Sequence, residues 1–191
     1  MKTNSHFSSL APNLQALLKS SMDFVKLETN PAFKKLASQG NRGIVYEIVG
    51  FDLVVKWIQG EKAAKDSDIQ ALLDLNGVDF FPTLYAYEES AFLVMEKVSG
   101  KDIVQLIQQG LITDGELIMV KDQYRDAVSI GIQKKRYDWD FKLEHLFWDQ
   151  KAKKLKIIDL GLWDVFNSSS DSKRYIADSL SNFEREIQWL K

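Results

Sequence analysis

The 191-residue sequence contains no cysteine, only two histidines (His6 and His145) and three prolines. Without cysteine there is no disulfide framework, no thiolate zinc site and no cysteine nucleophile. Two histidines this far apart cannot form a local two-histidine metal motif. An excess of one charge is missing as well. Lys and Arg number 25 against 27 Asp and Glu, a formal charge of −2, so no global field draws the chain to nucleic acid or an anionic membrane. No run approaches the roughly 20 apolar residues of a membrane span. The opening segment lacks a continuous apolar stretch and is a poor secretory signal. Cytoplasmic localisation is the expectation, with export as a secreted effector left open by the Ser/Asn-rich start. What is present, 45% hydrophobic and 27% charged residues, excludes a disordered or low-complexity chain and suits one domain or two small lobes.

Hydrophobic spacing organises the chain. Leu14, Leu17, Leu18 and Met22 after Pro12 predict one amphipathic helix in an N-terminal extension over 1–31, whose first residues are expected to fray. From Phe33 the runs KKLASQG, GIVYEIVG and DLVVKWI are β-branched and aromatic and are separated by glycine turns, which predicts an antiparallel meander. Residues 61–76 read as a helix stopped by Asn76-Gly77. PTLYAYE and AFLVMEKV form a strand pair. Beyond Gly100 the period is helical again, with Leu117, Val120, Tyr124 and Val128 on one side of a long helix. LKIIDLGLW reads as a short buried strand, and Ile176, Leu180, Phe183, Ile187 and Leu190 define a docked last helix. The basic residues Lys134, Lys135 and Arg136 read as solubility residues of a turn.

Several short elements carry chemistry. Gly40 and Gly43 in SQGNRGIV would let backbone N–H groups approach phosphate oxygens. Lys56 lies inside the apolar run LVVKWI, where a lysine must either snorkel to water or meet an anion. Asp140 sits in YDWDFKLEH with Lys142 and His145 close behind, and Asp159 ends the β-branched run LKIID before Leu160-Gly161.

The ordered set SQGNRGIV, LVVKW, LVMEKV, YDWDFKLEH and IIDLG, spanning about Phe33 to Trp163, resembles the protein-kinase superfamily: glycine loop, strand lysine, hinge, catalytic loop and metal-binding loop. The resemblance implies an α+β, two-lobed fold. An N-lobe over 32–95 would hold an antiparallel sheet plus one helix, and a shortened helical C-lobe would fill 96–191. It implies ATP and Mg²⁺ as cofactors. Asp140, Lys142 and Lys56 would be the catalytic residues: Asp140 takes the hydroxyl proton, Lys142 lies near the γ-phosphate and Lys56 holds the α- and β-phosphates. Gly40, Gly43 and Val45 would cover the nucleotide and Met95 would stand at the gatekeeper position. Glu96 to Val98 would form the adenine-binding hinge, and Asp102 would meet the ribose. Asp159 would bind the metal, with His145 in the place of the second metal-binding Asn. Asp68, one methylene shorter than the usual Glu, would pair with Lys56, and Glu61 is the other candidate for that pairing.

Departures from the pattern bear on function. Ser38 replaces the first glycine of the loop and Leu160 replaces the Phe after the metal-binding Asp. Asp138 and Trp139 replace the His and Arg before Asp140, which implies no activation by loop phosphorylation. An imidazole is a poorer Mg²⁺ ligand than an amide oxygen, yet a similar D-F-x-L-x-H pattern occurs in lipopolysaccharide-core kinases. The thirty residues after Gly161 leave no room for a peptide-binding platform. The N-terminal helix, the last helix, and Trp163, Phe166 and Trp189 as exposed aromatics are then candidates for acceptor recognition, with core or inter-helix packing as the first expectation for each. The expected function is transfer of the ATP γ-phosphate to a hydroxyl, with a serine/threonine protein kinase first. A sugar or lipopolysaccharide-core kinase, and a pseudokinase acting as a binding module, are the alternatives. Expected partners are a nucleotide and a hydroxyl-bearing acceptor, with no nucleic acid and with an activating protein left open.

Overall fold

A computed structural model describes residues 1–36, 43–58, 68–166 and 171–190. The chain divides into two compact units: Met1–Ile69 with Pro82–Lys97, and Gln70–Phe81 with Val98–Lys191.

The first unit is built on a six-stranded sheet. In chain order its elements are β1 (Lys2–Thr3), α1 (Pro12–Ser21), α2 (Phe24–Thr29), β2 (Phe33–Lys35), β3 (Gly43–Ile48), β4 (Leu53–Ile58), the first two residues of the helix α3 (Asp68–Asp74), whose remainder belongs to the second unit, β5 (Leu84–Glu88) and β6 (Phe92–Glu96). The strands pair antiparallel in the order β1-β5-β6-β4-β3-β2. Side chains alternate across a strand. Leu53 and Val55 of β4, Tyr46 and Ile48 of β3, and Phe92 and Val94 of β6 therefore share one face. Phe7, Leu14, Leu18 and Leu27 cover it, forming one buried cluster. Trp57, on the same face, lies between Phe92 and Phe24 at ring distances of 5.8 and 5.7 Å. Full burial contributes about 1.5–3 kcal/mol for a side chain such as Leu18. The N-terminal extension is thus the lid of this core.

Two details differ from the sequence-based expectation. The N-terminal segment forms two helices, because the Asp23 carboxylate accepts hydrogen bonds from the backbone N–H groups of Val25 (3.0 Å) and Lys26 (3.3 Å) and starts a second helix there. The chain start does not fray. Lys2 and Thr3 add an edge strand opposite Tyr87 and Ala86, and the α-amino group lies 2.5 Å from Glu88.

In the second unit, β7 (Lys101–Asp102) leads into α4 (Ile103–Gln108). The long α5 (Asp114–Gln133) begins in a capping box made by Thr113 and Glu116. Leu117, Val120, Tyr124 and Val128 are buried, as their spacing predicts. There follow β8 (Arg136–Asp138), a 3-10 turn over Leu143–His145, β9 (Leu146–Asp149), β10 (Lys154–Ile157), a 3-10 turn over Leu160–Leu162, β11 (Trp163–Val165) and α6 (Ser172–Leu190). Two small antiparallel sheets, β10-β9-β7 and β11-β8, hold the loops in place.

Two of the three aromatics lie in the core as first expected, while the expectations for Trp189 and Arg136 are corrected. Trp163 and Phe166 are core residues, because β11 turns both under the neighbouring aromatics; of the three candidate exposed aromatics only Trp189, 76% exposed, lies on the surface. Arg136 is not a solubility residue. It is 3% exposed, and its Nε and Nη2 donate to Asp74 Oδ2 at 2.8 and 2.6 Å while Nη1 donates to the Trp163 carbonyl at 3.0 Å. A buried guanidinium is tolerated only with such partners.

Candidate active site

In the first unit Val45, Lys56 and Met95 share the sheet face opposite the N-terminal helices. Lys56 stands opposite Val45, and Val54, next on its side of β4, stands opposite Met95. Strand alternation thereby brings Val45, Lys56 and Met95 together. Lys56 is 8% exposed and its ammonium donates to the carboxylate of Asp68, itself buried at the first residue of α3. An acid supplied by the helix removes the cost of burying the lysine among Val54, Val55 and Ile58. Gly43 faces the backbone of β4, where a Cβ would come 2.5 Å from the Trp57 carbonyl oxygen. Close strand approach is thus one reason for glycine at this position. Glu96 ends β6 with its carboxylate accepting from the Thr83 N–H at 3.0 Å. Ser38, Gly40 and Glu61 lie outside the described residues.

In the second unit Asp140 follows directly on β8. The Asp138 carboxylate accepts the Asp140 backbone N–H at 3.0 Å, and Trp139 N–H donates to the Leu162 carbonyl at 3.2 Å. Asp138 is buried, which pushes its carboxyl up to about 7, against hydrogen bonds from the Asp140 backbone and the Trp163 indole that favour the charged form. The Asp140 carboxylate is approached by Lys142 Nζ at 3.1 Å, and both side chains are more than 40% exposed. That contact holds the Lys142 ammonium above the usual lysine range.

Asp159 adopts a left-handed backbone, φ 55°, ahead of the 3-10 turn over Leu160–Leu162. Such a conformation costs on the order of 1 kcal/mol outside glycine and clusters at functional sites. Its Oδ2 lies 3.6 Å from His145 Nε2, and burial lowers the imidazole below the ordinary histidine range, so it is neutral at pH 7. Val98, half-buried, opens the second segment of this unit. The Asp102 carboxylate caps α4, accepting from Gln105 N–H at 2.8 Å.

Among the described residues no three His, Asp or Glu side chains gather into a ready-made metal cage. Mg²⁺ usually takes one or two carboxylates and completes its octahedron with substrate phosphates and water. The exposed carboxylate of Asp159 is such a donor, and the neutral imidazole of His145 is its neighbour.

No family model matches the chain, and no curated protein matches it in sequence. Solved structures do match in shape. The Cydia pomonella granulovirus kinase PK-1 aligns with a TM-score of 0.57 at 18% identity, over 77% of this chain and 60% of that one. WbdD bound to the kinase inhibitor LY294002 aligns with a TM-score of 0.58 at 18% identity, over 78% and 36%. Rad53 1-466 in complex with AMP-PNP aligns with a TM-score of 0.52 at 20% identity, over 69% and 38%. The fold is protein-kinase-like. This kinase-like chain spans between about a third and three fifths of the length of those three.

Sequence reading missed part of the support around the site. It took Arg136 for a turn residue although it stands beside Tyr137, inside what becomes a strand. It also passed over Glu186, whose carboxylate accepts the Leu143 backbone N–H at 3.0 Å. A glutamate on the buried side of an amphipathic helix was the available signal for the second.

Proposed function

We propose that the chain is an ATP- and Mg²⁺-dependent phosphotransferase that moves the γ-phosphate to a hydroxyl, with a protein serine or threonine as acceptor. The observation that carries the reading is the pair of carboxylates, Asp140 and Asp159. Each has 42% of its side chain exposed; the Asp140 backbone N–H is held by the Asp138 carboxylate, and Asp159 rises from a left-handed backbone. Phosphoryl transfer asks a protein chiefly to position groups and to neutralise charge. Asp140 orients the acceptor hydroxyl and takes its proton as the oxygen attacks phosphorus. The bond from the γ-phosphorus to the β–γ bridging oxygen breaks and ADP leaves. Lys142, already beside Asp140, offsets charge on the γ-phosphate, and Lys56 holds the α- and β-phosphates. Asp159, with His145 next to it, would hold Mg²⁺, which when bound neutralises the phosphate oxygens. Val45 and Met95 would flank the adenine, which Glu96 to Val98 would meet through the backbone; Gly40 and Gly43 would lie over the phosphates, and Asp102 near the ribose. Support for nucleotide binding comes from the AMP-PNP held by the structurally similar Rad53.

A sugar or lipopolysaccharide-core acceptor is a second reading, favoured by His145, which ends the D-F-x-L-x-H pattern and lies half-buried beside Asp159. Radiolabelled γ-phosphate transfer decides. Wild type, Asp159→Ala and Lys56→Ala are compared on protein and saccharide acceptors. The expected result is label on protein with wild type only and a loss of at least a hundredfold in each variant. Label on saccharide alone selects the second reading. Equal signal from all three chains sinks both, and a nucleotide-induced rise in melting temperature without transfer would make the chain a binding module.

A further inference from the structure

Tyr175, Ser179, Phe183 and Glu186 follow one another on α6 at intervals of four, four and three residues, which places them on one stripe of the helix. Each meets the segment 137–143 that carries Asp140. The Tyr175 ring packs edge-on against Tyr137 (5.0 Å) and Trp139 (6.0 Å). The Ser179 hydroxyl hydrogen-bonds the Tyr137 hydroxyl at 3.2 Å, and the Phe183 ring lies 6.4 Å from Phe141. Glu186 Oε2 accepts the Leu143 N–H at 3.0 Å. Contacts along the helix run in the same order as residues along the segment, so α6 lies beside it from end to end with Asp140 in the middle. Ser179 and Phe183 are buried on a helix that is otherwise mostly exposed. A buried serine is retained where its hydroxyl has a partner.

The segment needs such support. Ladder pairing ends at Asp138 and resumes at Leu146, and its backbone groups must find other partners. Trp139 N–H uses Leu162, Asp140 N–H uses Asp138, and Leu143 N–H uses Glu186. The last of these fixes the residue directly after Lys142, whose ammonium contacts Asp140.

We propose that α6 is a splint that holds the Asp140 segment in its working shape, and that Glu186 is a positioning residue for phosphoryl transfer, acting through the Leu143 backbone. The effect on catalysis rests on the phosphotransferase reading; the splint itself does not. The test uses the full chain as wild type, Glu186→Ala, Glu186→Gln and, as a control at an exposed turn outside α6, Lys151→Ala. Amide hydrogen exchange over residues 139–145 is measured alongside kcat and KM for ATP.

Glu186→Ala is expected to speed exchange at Leu143 at least tenfold and to lower kcat about tenfold with KM within twofold, since small misplacements of a catalytic group are costly. Glu186→Gln keeps an acceptor oxygen and restores most of both, and Lys151→Ala changes neither. Exchange in Glu186→Ala as slow as in wild type overturns the splint. Faster exchange with unchanged kcat overturns the positioning role. Should wild type transfer no phosphate to any acceptor, the phosphotransferase reading fails by itself, and exchange still decides the splint: acceleration supports it and no change overturns it.

Discussion

Replacing Asp74 by alanine tests how the second unit carries its buried arginine. Arg136 is 3% exposed, and two of its three hydrogen bonds end on one oxygen of Asp74. Breaking a buried ion pair by deleting one member costs about 3–5 kcal/mol, because the remaining charge stays in a poor solvent. The Asp74 side chain is 37% exposed, so water enters part of the vacated space and the expected cost falls to about 2–3 kcal/mol. For a chain of this size each kcal/mol moves the melting temperature by about 2–4 °C, giving a drop of about 4–12 °C. Urea titration followed by tryptophan fluorescence is a suitable assay, because Trp163 offers its carbonyl to the same guanidinium. A cycle with Arg136→Met completes the experiment. The double variant should recover at least about 1 kcal/mol relative to the sum of the single changes, since it removes the stranded charge. An Asp74→Ala variant within about 0.5 kcal/mol of wild type, or a strictly additive cycle, would refute the reasoning.

Two other outcomes follow from the same neighbourhood. Asp138 binds its proton up to about pH 7 when folded and to about pH 4 when unfolded. The native state therefore holds the extra proton between those limits, and its contribution to stability is lost as pH rises from about 4 to 7. Asp140 and Asp159 add repulsion in the same direction. Asp138→Asn should flatten the pH–stability curve over that window by as much as about 4 kcal/mol, and parallel curves for the two proteins would contradict the assignment. Gly131→Ala in α5 places a methyl 2.7 Å from the Trp163 ring and 3.1 Å from the Arg136 carbonyl oxygen. Overpacking of about 1–3 kcal/mol outweighs the roughly 1 kcal/mol that alanine gains over glycine in a helix. A net loss of stability is expected in urea titration, and a more stable variant would show that the Trp163 ring moves freely.

How much was legible in the sequence varied by element. The meander, the hairpin β5–β6, the buried stripe of α5 and the last helix follow from local periodicity, and periodicity is a local property. The second start at Asp23 was also local, in principle, as an N-cap signal two residues after the first helix. The edge strand at Lys2–Thr3 was not, because its partner is Tyr87, 85 positions away. Among the site residues, the sequence offered Asp68 and Glu61 as partners for Lys56 without choosing between them, and the structure pairs Lys56 with Asp68. The Asp74–Arg136 pair spans 62 positions and the Leu143–Glu186 tether 43, and no spacing rule reaches across such distances.

The residue order alone determined which side chains carry charge, which alternate along strands and which stripe a helix, and so set the kinase-like sequence of strand lysine, Asp140 loop and Asp159 turn. Only the tertiary structure decided that the first residues close a sheet edge, that an apparently ordinary surface arginine is a buried anchor, and that the last helix supports the segment around Asp140. The physical reason is that burial and hydrogen-bond satisfaction depend on which distant segments meet. A charge in sequence has no assigned environment until folding removes its water.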